Sequence, residues 1–190
     1  MPTYIALLRA VNVGGTGKIS MADFRKLLEG LGFKNVQTYI QSGNAVFDAP
    51  GLAAASGSAT KVGAAIAAAL NRHMGAAVDV MIRTHDELTR VIAENPFAAE
   101  AATDGARVHV CFLAGPAPAA AGPALLALRE QQPARRDRYH VAGDHIYFHF
   151  PDGAGQTKFS GKTLDRAVGV AGTGRNWNTV LKLHEMSKRQ

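Results

Sequence analysis

Apolar residues come in short bursts along the chain, and their spacing switches repeatedly between two periods. Residues 3–9 are apolar on both alternating faces, Tyr4/Ala6/Leu8 and Ile5/Leu7, which predicts a central strand covered on both sides. Helical spacing then takes over at Phe24, Leu27, Leu28 and Leu31, and Gly32 ends it. Ser20 fits the N-cap of that helix, Asp23 its third position, and Ile19 is placed to pack on Phe24. Alternation returns at 36–41 and 45–49. It predicts a hairpin about Gly43-Asn44 with Ile40 opposite Phe47 and Tyr39 opposite Asp48. Beyond a Gly/Ala/Ser loop at 50–58, Val62, Ile66 and Leu70 predict a helix over 60–74, followed by a strand at 78–83.

The second half repeats the order. Thr84-His-Asp-Glu87 is a capping box for a helix ending near Asn95-Pro-Phe97. A strand follows at 107–113, a Pro/Ala/Gly-rich loop at 115–123 and a helix at 124–132. A hairpin about Gly143-Asp144 joins 137–142 to 145–150, and helices are predicted at 164–168 and 177–187. The class this gives is α+β: two ferredoxin-like lobes, βαββαβ followed by an abbreviated βαββα copy with C-terminal helices. The bounds are 1–84 for the first lobe, 85–105 for a helical connector and 106–190 for a second, basic lobe.

Pairing about Gly143-Asp144 puts Val141 against Ile146 and Tyr139 against Phe148 on an apolar face. The other face collects Arg138, His140, His145, Tyr147 and His149. Three histidines on one face suit a metal, and a basic strip with an aromatic suits single-stranded nucleic acid. An ordinary half-exposed sheet with its polar side outward has the same pattern.

Composition narrows the classes. Cys111 is the single cysteine, which excludes an intramolecular disulfide and a zinc–thiolate cluster, and its apolar neighbours mark a buried structural thiol. Met1 leads directly into a short strand rather than a secretion signal, and no apolar run reaches the roughly 20 residues a membrane span needs. A cytoplasmic protein without membrane contact is the expectation. The formal charge is +6 and is unevenly spread. Residues 1–104 hold nine Lys/Arg and nine Asp/Glu, whereas 105–190 hold twelve against six. A basic half attracts nucleic acid, anionic metabolites or an acidic partner.

Candidate chemistry concentrates in Arg9-Ala-Val-Asn-Val-Gly-Gly-Thr-Gly-Lys18, a glycine-rich loop between a strand and a helix start. Such loops hold anions on backbone N–H groups. It is not a nucleotide-hydrolysing phosphate loop: Asn12 and Ile19 occupy the positions that would need Gly and a metal-binding hydroxyl. Thr173-Gly-Arg-Asn-Trp-Asn-Thr179 is the second distinctive stretch, with Thr173 or Asn176 able to cap the last helix and Trp177, Val180, Leu181 and His184 on one face.

These motifs carry a family resemblance. Leu7-Leu-Arg-Ala-Val-Asn-Val-Gly-Gly15, Met21, Leu27-Leu28, Gly32-Phe33 and Val36-Gln-Thr-Tyr-Ile-Gln-Ser-Gly-Asn44 closely resemble the domain-of-unknown-function 1697 family. So do Asn95-Pro-Phe97, Phe150-Pro-Asp-Gly153 with Lys158, and the 173–179 stretch. The resemblance implies the two-lobe α+β fold and no particular activity.

The favoured function is binding of an anionic ligand, a phosphate-bearing small molecule or nucleic acid, without cofactor or metal. Arg9, Asn12, Gly14, Gly15 and Lys18 form one side of the expected site and Arg175 and Asn176 the other, with Ser42 and Asn44 at the hairpin tip. Two alternatives stay open. One is an enzyme on a small phosphorylated or carboxylated substrate, with Lys18, His140 or His149 carrying a proton. The other is a protein-interaction scaffold whose Gly/Asn motifs only make turns.

Overall fold

A computed structural model describes residues 2–12, 17–51 and 57–188. The chain is a mixed α/β protein with two four-stranded antiparallel sheets and, among the described residues, seven α-helices. It divides into two compact units, residues 1–91 with 182–190, and residues 92–181.

The first unit contains β1 (Thr3–Leu8), α1 (Met21–Gly30), β2 (Lys34–Tyr39), β3 (Asn44–Asp48), α2 (Ser58–Met74) and β4 (Val80–Thr84), with strand order β2-β3-β1-β4. β1 is central because both its faces are apolar: Tyr4, Ala6 and Leu8 join a core with Phe24, Leu28, Val62, Ile66 and Leu70, and Ile5 and Leu7 are buried as well. Ile19 belongs to the same core as Phe24. Ser20 caps α1 by accepting from the Asp23 amide at 3.0 Å and returns its hydroxyl to the Asp23 carboxylate at 2.7 Å. At α3 (His85–Ala93) the capping box is reciprocal: Thr84 N donates to Glu87 Oε2 at 2.7 Å, and Glu87 N to Thr84 Oγ1 at 3.2 Å.

The first hairpin departs from the expected register. Tyr39 pairs with Asn44 instead of lying opposite Asp48, so the pairing slips by four positions and 40–43 become the loop. Asn44 is drawn into the strand by its own amide, which donates to the Tyr39 carbonyl at 2.9 Å and to Ser42 Oγ at 3.0 Å. Ile40, expected to face Phe47, stands in the left-handed region at φ 47° and is about half exposed.

The second unit contains α4 (Ala98–Thr103), β5 (Val108–Leu113), α5 (Ala121–Glu130), β6 (Arg138–Ala142), β7 (His145–His149), α6 (Gly161–Val168) and β8 (Gly172–Asn176), with strand order β6-β7-β5-β8. α7 (Trp177–Met186) starts in this unit and ends in the first. The β6–β7 hairpin has the expected register, Val141 with Ile146 and Tyr139 with Phe148. The expected abbreviation is overturned: β8 supplies a final strand antiparallel to β5, with Arg175 opposite Val110. Gly172 and Gly174 are poor helix formers, and the alternating Thr173 and Arg175 are both buried, a strand pattern. α5 also begins earlier than expected, with Pro123 in its first turn, where the missing N–H costs no hydrogen bond. On α7 the buried stripe is Trp177, Val180 and Leu183, while Leu181 is exposed. No described helix is long and apolar enough to cross a membrane.

Candidate functional site

In the described part of the loop after β1, Asn12 bonds both within the loop and across to the first hairpin. Asn12 stands at φ 57°, tolerable for asparagine, and its side chain closes the loop. Its Oδ1 accepts from Ile19 N at 3.1 Å, and its Nδ2 donates to the carbonyls of Ile19 at 2.9 Å and Gln41 at 2.8 Å. Arg9 makes an ion pair with Asp79 at 3.4 Å and donates its backbone N–H to the same residue's carbonyl. Lys18 is exposed. Gly14 and Gly15 lie outside the described residues.

Within this unit the first two predicted motifs do meet. Leu8 N donates to the Gly43 carbonyl at 2.8 Å, and the Asn12 amide reaches Gln41 in the same hairpin loop. Ser42 and Asn44 bond each other, and Asn44 is fully buried. The side-chain amides of Asn12 and Asn44, which looked like ligand donors, are thus spent on backbone carbonyls.

Arg175 and Asn176 belong to the second unit. Arg175 is buried in β8, where Nη1 donates to Thr173 Oγ1 at 2.8 Å and to the Gly174 carbonyl at 2.9 Å. Burial pulls its guanidinium pKa down to about 10. Asn176, rather than Thr173, caps α7, accepting from Thr179 N at 2.9 Å.

The histidine strip is not an open face. Tyr147 is fully buried and His145 nearly so, while Arg138 and His140 reach the surface. Arg138 is committed: it pairs with Glu100, donates to His149 Nδ1 at 2.9 Å and lies over the Phe97 ring at 5.0 Å. The hydrogen bond from Arg138 holds the Glu100 carboxyl below its ordinary range, and burial, then Arg138, does the same to His149. The neighbouring arginines are tied too, Arg135 to Asp137 and Arg136 to Asp152. Among the described residues, no group of three or more His, Cys, Asp or Glu is placed to hold a metal ion.

A cavity of about 160 Å³ lies in the second unit, between the β5–β8 side of the sheet, the segment after Phe150 and the start of α6. Alternation along β8 creates it. Thr173 and Arg175 point to one face, which leaves Gly172, Gly174 and Asn176 on the other. A Cβ at Gly174 would meet nothing within 4 Å, so the glycine leaves open space over the sheet. His109 and Asn176 are cross-strand neighbours, and both line the cavity with Ser160 and Asp165. The Phe150–Gly153 and Thr173–Thr179 motifs, far apart in sequence, therefore meet here. Burial lowers the His109 pKa, partly opposed by the Ala106 carbonyl that one ring nitrogen faces. α6 has no side-chain cap and no acidic residue in its first turn: Ser160 Oγ donates instead to the Thr157 carbonyl at 3.2 Å. Asp165 is the adverse charge, with Oδ1 accepting from Gly172 N at 3.1 Å.

Sequence reasoning named Asn176 but missed His109, Ser160 and Asp165. The one available signal was the Gly-x-Gly alternation at 172–174, which is legible only if the segment is read as a strand. The first unit has a larger groove, about 820 Å³, but several of its charges are already satisfied: Lys182 by Glu185, Arg25 by Glu29, and Asp48 by Thr3 and Asn35.

A family described as "protein of unknown function (DUF1697)" matches residues 1–147. A conserved bacterial protein from Streptococcus pneumoniae is similar in structure, with a TM-score of 0.65 and 20% identity over 98% of this chain and 99% of that one. No curated protein matches the chain by sequence.

Proposed function

The chain belongs to the DUF1697 family of proteins of unknown function, and from that premise we propose that it binds a small anionic ligand in the cavity beside β8. One observation carries the reading: the start of α6, free of a side-chain cap and of acidic first-turn residues, opens on a cavity that Asn176 lines and Gly174 leaves unfilled. First-turn N–H groups have no partner inside the helix and sit at the positive end of its dipole. The basic excess of residues 105–190 favours an anion in the same half of the chain.

This moves the expected site. Asn176 stays in it; Arg9, Asn12, Ser42, Asn44 and Arg175 are read as fold-forming. The fold reading goes with it: βαββαβ order with strand orders β2-β3-β1-β4 and β6-β7-β5-β8 supports two ferredoxin-like lobes.

The test is an amide NMR titration with acetate and with inorganic phosphate, alongside native mass spectrometry of freshly purified protein. Saturable shifts should be confined to residues near 109, 160–165 and 172–176. They should vanish in Gly174→Val, which fills the cavity while its thermal melting stays unchanged. No saturable shift with either probe overturns the proposal.

A further inference from the structure

We infer that the ligand is a small planar carboxylate bound across the His109–Asn176 strand pair, with His109 taking up one proton from solvent as it binds. The inference rests on the cavity being the ligand site. His109 and Asn176 are directly opposed in the β5–β8 ladder, which sets their Cβ atoms about 5 Å apart on one face. Two polar groups at that spacing, both lining the cavity, suit the two oxygens of one carboxylate.

The roles follow from what each side chain already does. Asn176 spends Oδ1 on the Thr179 amide, so it meets a ligand through Nδ2, a donor. One ring nitrogen of His109 faces the Ala106 carbonyl, and the ring stands edge-on to Phe150 at 5.2 Å and 72°. In the neutral ring the second nitrogen is an acceptor. A carboxylate oxygen cannot bond to that lone pair, so the contact forms only when a proton lies between them. Asp165 and Cys111 are the other titratable groups lining the cavity. A second carboxylate entering beside Asp165 strengthens the demand for a proton, since like charges at close range cannot both stay ionised without cost. Size points the same way. The cavity, about 160 Å³, has room for about five waters, enough for a ligand of acetate's size.

The experiment is calorimetric titration of acetate, acetamide and inorganic phosphate between pH 8 and 5.5, with ¹⁵N imidazole spectra of His109 recorded at pH 7. Acetate affinity should tighten by about tenfold per pH unit on the alkaline side, as uptake of one proton requires. The His109 ring should turn imidazolium when acetate is added. His109→Gln should flatten the pH dependence, and Asn176→Asp, which keeps an oxygen to cap α7, should weaken acetate by about tenfold or more. Acetate binding with a neutral His109 ring, an unchanged pH slope in His109→Gln, or tighter binding of acetamide or phosphate overturns this inference alone. Saturable binding of none of the three probes overturns the ligand-binding reading beneath it.

Discussion

Asn12 and Gln41, in different loops, are joined by a 2.8 Å hydrogen bond from the Asn12 side-chain amide to the Gln41 carbonyl. That bond, with those to Ile19, makes Asn12 the clasp between the loop after β1 and the first hairpin. Asn12→Ala removes these bonds and leaves a non-glycine residue at positive φ. It should lower the stability by about 2 kcal/mol in urea unfolding, without changing acetate titration at the cavity.

Gly43 presses on the same junction. It has φ 77°, and an added Cβ would lie 2.6 Å from Val11 Cγ2 and 2.7 Å from Leu8 Cβ. Gly43→Ala therefore combines backbone strain with overpacking and should cost about 2–4 kcal/mol, measured as a lowered denaturant midpoint. Gly174→Ala, with open space and no positive φ, should be tolerated.

Asp137 is almost fully buried and accepts from Arg135 at 2.7 Å and from Thr157 Oγ1 at 2.8 Å. Removing one partner strands the other, so Asp137→Ala should destabilise by about 3 kcal/mol. A double mutant with Arg135→Ala should lose less than the sum of the two single changes, because both break the same bond.

Acidification should weaken the fold through its histidines. His109, His149 and His184 all have pKa values lowered from 6.5, with burial the largest cause in each. The unfolded chain then binds protons more readily than the folded one. Stability from these groups is complete above about pH 6.5 and is lost as the pH falls toward the lowered folded values. Urea unfolding at pH 7.5 and 5.5 should show the lower stability at 5.5, and His149→Gln should reduce the difference.

Local chemistry was legible in the sequence. The α1 and α3 caps depend on residues three apart, and Gly143-Asp144 sets the second hairpin through a two-residue turn, so each could be read without knowing the rest of the chain. Tertiary structure decided what depends on distant partners. The first hairpin took its register with the Gly43 carbonyl bound to Leu8 and the Asn44 amide turned back on Tyr39, which turn propensity does not record. β8 is a strand because β5 offers an open edge, and its glycines became a cavity floor only once Thr173 and Arg175 were turned to the opposite face. Asn12, Ser42 and Asn44 carry the same donors whether they hold a ligand or a carbonyl. The composition fixed which groups were available, and the path of the backbone decided which of them the fold itself would use.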